Sequence, residues 1–357
     1  LDDAYSRLSK MVRHQARGSM KFCLARIVLL GGILFALGAC APVSHESTPV
    51  SISAATPDLE IASPRPAASV SPCDLKSLPD STPIVRPTFT PMPPQTPALT
   101  GRSVMVDTTF KSQLLDRIVP IMVYLPPGYS DSNRRYPTLY MLGGFSGDYR
   151  EWSYWGICQA LEALTRSGKI QPMIVVMPEG DYSYWFNHAT VPDSDGKPWG
   201  DYIWKDVVGF ADTNFRTLPQ RASRAIGGLS AGGQGALMLG LSHPEVFSIV
   251  GAHSPSLRGA DGSLAFFGTP DYFKPYDPVW LIQNTQSWRQ LSIWIDIGRA
   301  DTQWGGVIVP FHNWLDKLGV EHDFVNSWNG VHDDSYWGAH LNDYLIWYSS
   351  KLAGPAK

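Results

Sequence analysis

The most informative segment of this chain is Ala225-Ile226-Gly227-Gly228-Leu229-Ser230-Ala231-Gly232-Gly233. An apolar approach leads into the pentapeptide G-x-S-x-G, and small residues begin the segment that follows. This pattern is typical of a strand that turns sharply into a helix, with the serine strained and its hydroxyl exposed. Side chains at Gly228 and Gly232 would collide with the backbone of so tight a turn. Because a Gly-rich turn can also contain a serine by chance, the surrounding sequence must decide whether Ser230 is a nucleophile.

Around this turn, from Gly101 onward, short apolar runs alternate with helical patterns. The pattern predicts strands at Ile118–Leu125, Thr138–Leu142, Met173–Met177, Ala222–Gly228, Ser248–His253, Ser292–Ile297 and Asp323–Ser327. It predicts helices at Gly156–Arg166, Asp201–Arg216, Gly232–Leu241, Val307–Leu318 and His340–Leu352. Such alternation indicates a mostly parallel sheet with helices on both faces. The sequence therefore predicts one doubly wound α/β domain over residues 101–357.

Composition narrows the class of protein. Of the 357 residues, 44% are hydrophobic, which is ample for a large core. The net charge is −3 and no long run of Lys or Arg occurs, so the chain has no electrostatic footprint for nucleic acid. We therefore expect no nucleic-acid partner, and the oligomeric state stays open.

The segment from Met20 to Cys40 has a basic start, an apolar stretch from Ile27 to Leu37 and then Leu37-Gly38-Ala39-Cys40. It resembles a bacterial lipoprotein signal, in which the cysteine is lipidated and becomes the mature N-terminus. We therefore expect residues 1–40 to hold upstream residues and a signal peptide, and Cys40 to tether an exported protein to membrane lipid. An ordinary signal peptide or an uncleaved anchor is the alternative, although the apolar core is short for a membrane span.

Residues 41–100 are dense in Ser, Thr, Pro and Ala and predict a disordered or extended linker. Besides Cys40, only Cys73 and Cys158 would remain in the mature chain, too few for a disulfide framework or a thiolate metal site. One bridge between them is an alternative. The favoured interpretation is that Cys158 is a small buried helix residue and that Cys73 lies in the linker.

A catalytic serine needs a base within hydrogen-bond reach and a carboxylate that orients the base. Asp301 follows a predicted strand in Gly298-Arg299-Ala300-Asp301, where catalytic groups collect at carboxyl ends. Asp296 is the rival, but it falls inside the strand. His332 lies on a loop after the next strand, whereas the other histidines precede the acid, lie on predicted helices or strands, or fall before residue 101. The order therefore predicts Ser230 as nucleophile, Asp301 as acid and His332 as base.

An oxyanion hole requires two backbone N–H groups that face the developing charge. One donor should be Ala231, the residue after the nucleophile. The other should be Phe145, in the glycine-rich strand exit Leu142-Gly143-Gly144-Phe145. Gly143-Gly144 can also be a plain tight turn, and the two interpretations are compatible.

Tryptophans cluster near the segments that should surround the site. Flat aromatic faces suit sugar rings or phenolic acyl groups, although at least half of these residues should pack in the core or in a lid. The insertion from Tyr182 to Trp199 could cap the site. As substrate-contacting residues we predict Gly144, Asp181, Trp185 and Trp337.

Five segments in this order resemble the esterase D family, which includes feruloyl and acetyl xylan esterases, S-formylglutathione hydrolases, enterochelin esterases and mycolyltransferases. The segments are Val123-Tyr124-Leu125-Pro126-Pro127-Gly128-Tyr129, Tyr136-Pro137-Thr138-Leu139-Tyr140-Met141-Leu142, Gly228-Leu229-Ser230-Ala231-Gly232-Gly233, Gly298-Arg299-Ala300-Asp301 and Gly330-Val331-His332-Asp333. The resemblance implies an α/β-hydrolase fold, a Ser-Asp-His triad and acyl transfer through an acyl-enzyme, with no metal or organic cofactor. It covers nearly all of the chain after Gly101.

Two departures from the family pattern occur. Many members carry His-Gly where this chain has Gly143-Gly144, and Gly330-Val331-His332 replaces the commoner Gly-Gly-His. Because the oxyanion donor is a backbone group, we expect activity to survive. The first departure puts the rigidity of the loop in doubt.

The resulting hypothesis is an exported serine carboxylesterase that acts on feruloyl or acetyl esters of polysaccharides. Acyl transfer to a sugar acceptor is the alternative within the enzymes. A non-catalytic surface binding protein on a hydrolase scaffold is the alternative from another class, and such a protein should have lost a triad member. Intracellular S-formylglutathione hydrolysis is disfavoured by the export signal.

Overall fold

The computed structural model describes residues 101–355 and, before them, the backbone of Ser69–Pro72. Within these residues the strands are β1 Ser69–Pro72, β2 Val104–Ser112, β3 Arg117–Leu125, β4 Thr138–Leu142, β5 Ile174–Pro178, β6 Arg224–Leu229, β7 Ile249–His253, β8 Ser292–Asp296 and β9 Asp323–Val325. They form one sheet in the order β1-β2-β3-β5-β4-β6-β7-β8-β9. The pairs from β5 through β9 are parallel, and β1, β2 and β3 join antiparallel.

The described helices are α1 Glu151–Tyr154, α2 Ile157–Arg166, α3 over residues 199–214, α4 Ala231–Ser242, α5 Pro270–Phe273, α6 Pro278–Asn284, α7 Gly305–Leu318 and α8 Asp334–Lys351. The middle of α3, Tyr202–Val207, is a π-helical turn. Short 3₁₀ turns occur at Arg221–Ser223, Ala265–Phe267, Lys274–Tyr276 and Ser287–Gln290.

Alternate residues of the central strands feed two hydrophobic layers. In β5, Ile174 and Val176 pack with side chains of α3, α4, α6 and α7, whereas Val175 and Met177 pack with those of α1, α2 and α8. Such a strand is buried on both sides, which is why its sequence is continuously apolar instead of alternating. The predicted doubly wound, mostly parallel α/β fold is confirmed.

The strand order reverses at the centre of the sheet. From β4 the chain moves to one side to form β5, then returns to the other side of β4 to form β6. The carboxyl ends of β4 and β6 therefore lie side by side, with connections that leave in opposite directions. Crevices at such a switch point are where open α/β sheets bind ligands.

The described elements differ from the predicted ones mainly at the edges of the sheet. The sequence did not predict β2, whose outer positions carry polar residues such as Asp107 and Thr109. Helix α8 begins at Asp334 rather than His340, because the Asp333 side chain caps the helix by accepting from the Tyr336 N–H. Strand β9 ends at Val325, two residues earlier than expected.

The structure describes one short part of the expected linker. Ser69–Pro72 pairs antiparallel with the start of β2, because β2 presents an open sheet edge. The other residues of the 41–100 linker, the lipoprotein signal and Cys40 lie outside the described residues.

Cys158 is buried and disulfide-bonded, so the favoured interpretation of a buried, unbridged residue is wrong. The other three cysteines of the chain lie outside the described residues. None of the helices in the described part of the chain is long and apolar enough to cross a membrane.

Candidate active site

Ser230 lies on the turn between β6 and α4. Its φ of +52° is strained for a residue with a side chain. A Cβ at Gly228 would lie 2.5 Å from the Gly232 carbonyl, and one at Gly232 would lie 2.4 Å from the Gly143 oxygen. Only glycine fits at either position, as the sequence predicts, and the turn presents the serine hydroxyl at the switch point of the sheet.

The three residues predicted as a triad come together. Ser230 Oγ lies 2.8 Å from His332 Nε2, and His332 Nδ1 lies 3.1 Å from Asp301 Oδ2. Because an ionised carboxylate only accepts hydrogen bonds, the neutral imidazole donates from Nδ1. Nε2 then carries the lone pair that accepts from the Ser230 hydroxyl. The base is in the tautomer that a general base requires.

Asp301 is held in its ionised form. It lies just before α7, where the backbone N–H groups of Gln303 and Trp304 donate to its Oδ1, each at 2.9 Å. Burial raises the pKa of Asp301, but the contact with His332 and these hydrogen bonds outweigh the burial and leave the pKa below 3.8. The carboxylate is therefore charged at neutral pH and can stabilise an imidazolium.

Ser254, which the sequence analysis missed, completes the contacts of Asp301. Its hydroxyl donates to Asp301 Oδ2 at 2.8 Å and lies 3.2 Å from His332 Nδ1. The side chain is fully buried and the φ is +44°. A serine directly after β7 was the available signal, because β7 is adjacent to β6 and ends at the same edge of the sheet.

The rival acid, Asp296, is turned away from this site. It is fully buried on β8 and accepts from His253 Nδ1 at 2.7 Å and from the Tyr336 hydroxyl at 2.8 Å. Asp296 therefore belongs to the packing between the sheet and α8.

The loop after β4 is held by two side chains that are distant in sequence. The Trp185 indole N–H donates to the Gly143 carbonyl at 3.0 Å. The Gly144 N–H donates to Glu151 Oε2 at 2.7 Å, and burial raises the pKa of Glu151 to about 7. These two hydrogen bonds hold the loop at the position where many members of the family that the sequence resembles carry a histidine. The Gly144 amide is thereby engaged by the protein rather than offered to a ligand.

The two predicted oxyanion donors lie on neighbouring elements. Ala231 is the first residue of α4, and first-turn amides of an α-helix have no acceptor within the helix. Phe145 lies on the loop after β4, the strand hydrogen-bonded to β6. The roles of both amides remain predictions.

Trp185 is a wrong prediction as a substrate-contacting residue. It is 1% exposed, and a Cβ at Gly235 would lie 2.5 Å from the Trp185 Cβ, so the ring fills a space left by a glycine. Its indole nitrogen is bonded to the loop. The sequence around Trp185 could not show that the ring points inward, because its direction depends on packing against Gly235 of α4.

The other predicted substrate residues differ in exposure. Trp337 is 4% exposed and lies edge-on to the His332 ring, with centroids 4.9 Å apart. It therefore packs against the imidazole of the base. Asp181 is half-buried, with its side chain 40% exposed, and it forms an ion pair with Arg117 at 3.2 Å.

Aromatic side chains do reach the surface beside the loop. Phe145 is 37% exposed and Tyr182 is 66% exposed, with ring centroids 5.7 Å apart. Tyr184 lies beneath them, 5.4 Å from Phe145. The exposed aromatic surface near the nucleophile is therefore made by Phe and Tyr rather than by the tryptophans expected from the sequence.

Comparison with known proteins gives one family. The family model described as "Putative esterase" matches residues 112–348. An esterase of Mycobacterium tuberculosis strain H37Rv is 32% identical over 136 residues, 38% of this chain and 28% of that protein. An endo-1,4-beta-xylanase/feruloyl esterase of Xylanibacter ruminicola is 30% identical over 148 residues, 40% of this chain and 20% of that protein. The matched region thus spans under a third of the length of these relatives.

Solved structures agree on the fold. A ferulic acid esterase superposes with a TM-score of 0.63 at 23% identity, covering 70% of this chain and 99% of that one. An S-formylglutathione hydrolase from Agrobacterium tumefaciens gives 0.59 at 18% identity, covering 74% and 100%. The fold is that of the α/β-hydrolases. Because the family model matches the domain from the end of β2 to α8, the chain belongs to this esterase family.

Proposed function

We propose that this protein is an exported, membrane-tethered serine carboxylic-ester hydrolase that acts through an acyl-enzyme. The hydrogen-bonded series from Asp301 through His332 to Ser230 carries the proposal. A nucleophile, a base in the correct tautomer and a buried carboxylate form the arrangement that activates a serine hydroxyl.

The reaction follows from the hydrogen bonds. Ser230 Oγ attacks the ester carbonyl while His332 Nε2 takes its proton, and Asp301 stabilises the resulting imidazolium. The amides of Ala231 and Phe145 face the oxyanion. The imidazolium returns the proton to the leaving alcohol as the ester C–O bond breaks. Water then loses a proton to Nε2 as it attacks the acyl-enzyme. The imidazolium returns that proton to Ser230 Oγ as the acyl C–O bond breaks and the acid leaves.

For the substrate we propose feruloyl or acetyl esters of polysaccharides. The exposed rings of Phe145 and Tyr182 beside the loop suit a flat phenolic acyl group or a sugar ring. A relative and a structural neighbour named for ferulic or feruloyl esters support the same class.

The test is hydrolysis of p-nitrophenyl acetate by the purified full chain, followed by methyl ferulate. We expect Ser230→Ala to lower kcat at least 1,000-fold, as removal of a triad serine does. Ser350→Ala, which removes a serine hydroxyl from the far end of α8, is the matched control and should leave kcat unchanged. Circular dichroism of both variants checks that they are folded.

Retained turnover in folded Ser230→Ala protein contradicts the nucleophile assignment. Absence of turnover in the folded parent protein contradicts the hydrolase and favours the binding protein. If xylo-oligosaccharides accelerate p-nitrophenol release and become acylated, the acceptor is a sugar instead of water.

The proposed membrane tether rests on the signal-like segment from Met20 to Cys40, and it is tested separately. We expect the full chain expressed in a bacterium to sediment with membranes and Cys40→Ser to be released into the soluble fraction. Ser44→Ala, four residues after Cys40, is the control and should leave the protein with the membranes. Unchanged membrane association of Cys40→Ser contradicts lipidation there.

A further inference from the structure

Two imidazoles and a carboxylate meet at the far end of α7. His312 and Asp316 lie one helical turn apart, and His322 lies in the segment that leads into β9. His312 Nδ1 is 2.8 Å from His322 Nε2, and Asp316 Oδ2 is 3.5 Å from His312 Nε2. One ligand atom from each side chain lies within 4.8 Å of the other two.

The protein fixes the tautomer of His322. Its Nδ1 lies 2.8 Å from the Val320 carbonyl oxygen, which only accepts, so Nδ1 carries the proton. In the neutral ring Nε2 then presents a lone pair to His312. A ligating histidine that donates its other N–H to a backbone carbonyl is the usual arrangement around protein-bound zinc.

The second imidazole is also held in place. The His312 ring stacks on Phe324 of β9, with centroids 3.8 Å apart and planes 16° apart. Both imidazoles are half-buried, whereas the Asp316 side chain is 59% exposed and can turn toward an ion. The site thus combines two oriented nitrogen ligands with one adjustable oxygen ligand.

We propose that His312, Asp316 and His322 bind a Zn²⁺ ion with water in the fourth position. Two imidazoles and a carboxylate are a common zinc ligand set. Ligands at about 2.0–2.1 Å in tetrahedral geometry lie about 3.3 Å apart, so the two ring nitrogens need to separate by about 0.5 Å. His312 ligates through Nδ1, which faces His322, and the exposed Asp316 carboxylate, which lies beside the other ring nitrogen, turns toward the ion.

The ion would join α7 to the segment before β9. Residue 312 lies about 12 Å along the helix from Trp304, so this zinc takes no part in ester cleavage. Its effect is structural, because α7 follows the Asp301 loop and β9 precedes the His332 loop. Zinc binding should therefore stabilise the folded protein against heat.

The test is isothermal titration of ZnCl₂ into the untagged, chelator-treated full chain at pH 7.5. We expect one site per chain with micromolar affinity, and a rise in Tm of roughly 5 °C at about 100 times the Kd. His322→Gln should weaken binding at least tenfold. Asp316→Asn, at an exposed position that does not threaten folding, should also weaken it.

His243→Gln is the matched control. His243 also stacks on an aromatic ring, Trp204 at 4.3 Å, and contacts a carboxylate, Glu245 at 3.0 Å. Among the residues that the structure describes, it has no second imidazole beside it. The His243→Gln variant should bind zinc with the same affinity as the parent protein. Absence of saturable binding, or equal binding by the parent, His322→Gln and Asp316→Asn, overturns the site and leaves a simple hydrogen bond between two histidines.

Discussion

Two serines with positive φ stand at the ends of adjacent strands, and they contact the same histidine. Ser230 presents its hydroxyl to His332 Nε2, and Ser254 presents its hydroxyl to the Asp301 oxygen that pairs with Nδ1. We interpret Ser254 as a positioning residue, since it acts through Asp301 and not on the substrate. Its donated hydrogen bond withdraws negative charge from the carboxylate and fixes its orientation.

Ser254→Ala tests this interpretation. Without this hydrogen bond the Asp301 carboxylate and the His332 ring are held less firmly in place. We expect this loss of orientation to outweigh the stronger charge of the carboxylate and to lower kcat for a p-nitrophenyl ester roughly tenfold. The freed carboxylate attracts the imidazolium more strongly, so the acidic limb of the pH–rate profile should move to higher pH. Steady-state kinetics from pH 5 to 9 measures both effects.

Ser223→Ala is the control for Ser254→Ala. Ser223 is equally buried and donates to the Ala353 carbonyl at 2.6 Å, remote from the triad. Ser223→Ala removes a buried hydrogen bond that does not involve Asp301, so its pH–rate profile should match that of the parent protein. If both variants keep the parent profile, Ser254 has only a packing role.

At the scale of elements, the oxyanion loop depends on helix α1. Glu151 extends back from α1 to accept from the Gly144 N–H, in a position where burial raises its pKa to about 7. Asp334 at the start of α8 and Asp148 also raise the pKa, and the Gly144 amide opposes them. The loop is therefore tied to a carboxyl that changes charge near neutral pH.

The sign of the stability effect follows from the direction of this shift. The folded protein holds the Glu151 proton up to about pH 7, whereas the unfolded chain releases it near the ordinary value of 4.5. This contribution to stability is fully present below pH 4.5 and is lost as the pH rises through 7. A shift of this size corresponds to about 3 kcal/mol.

Glu151→Gln removes the titration but keeps an oxygen acceptor for Gly144. We expect the free energy of unfolding of the variant, relative to the parent, to rise by about 3 kcal/mol between pH 4.5 and 8. Urea unfolding at a series of pH values measures the difference. A difference that stays constant across this range would show that Glu151 titrates normally.

At the scale of the whole molecule, α8 is joined to β7 and β8 of the sheet through Asp296. This carboxylate accepts from His253, Trp294, Tyr336 and Tyr344, with distances from 2.7 to 3.2 Å. His253 Nε2 in turn lies 2.9 Å from the Tyr348 hydroxyl. Tyr348 fits against the sheet because Gly227 and Gly251 have no side chain, and a Cβ at either would lie within 2 Å of its hydroxyl.

Asp296→Ala should therefore destabilise the protein far more than loss of a surface carboxylate. It leaves four buried donors without their acceptor, and we expect a loss of about 3–5 kcal/mol in the free energy of unfolding. Asp296→Asn, which keeps one acceptor oxygen, should fall between this variant and the parent.

The control is Asp271→Ala, which removes an exposed ion pair with Lys274 and should leave the unfolding midpoint unchanged. Urea unfolding followed by tryptophan fluorescence gives the three values. Equal stability of Asp296→Ala and Asp271→Ala would contradict the role assigned to this buried cluster.

The sequence alone determined the turn at Ser230, the central strands and the order of serine, acid and base. These features depend on local patterns: apolar runs for buried strands, glycines where a side chain cannot fit, and polar residues directly after strands. Parallel strands place such residues at one edge, so chain order was enough to bring Ser230, Asp301 and His332 together.

The side chains that support the site depend on contacts between elements that are distant in the chain. Trp185 turned inward to hold the loop, Glu151 reached back to Gly144, and Ser254 joined Asp301 from the neighbouring strand. The same holds for the strand at Ser69–Pro72, which forms because β2 offers an unpaired edge. Each contact joins residues from different elements, and the direction of a side chain is set by what packs around it instead of by its neighbours in sequence.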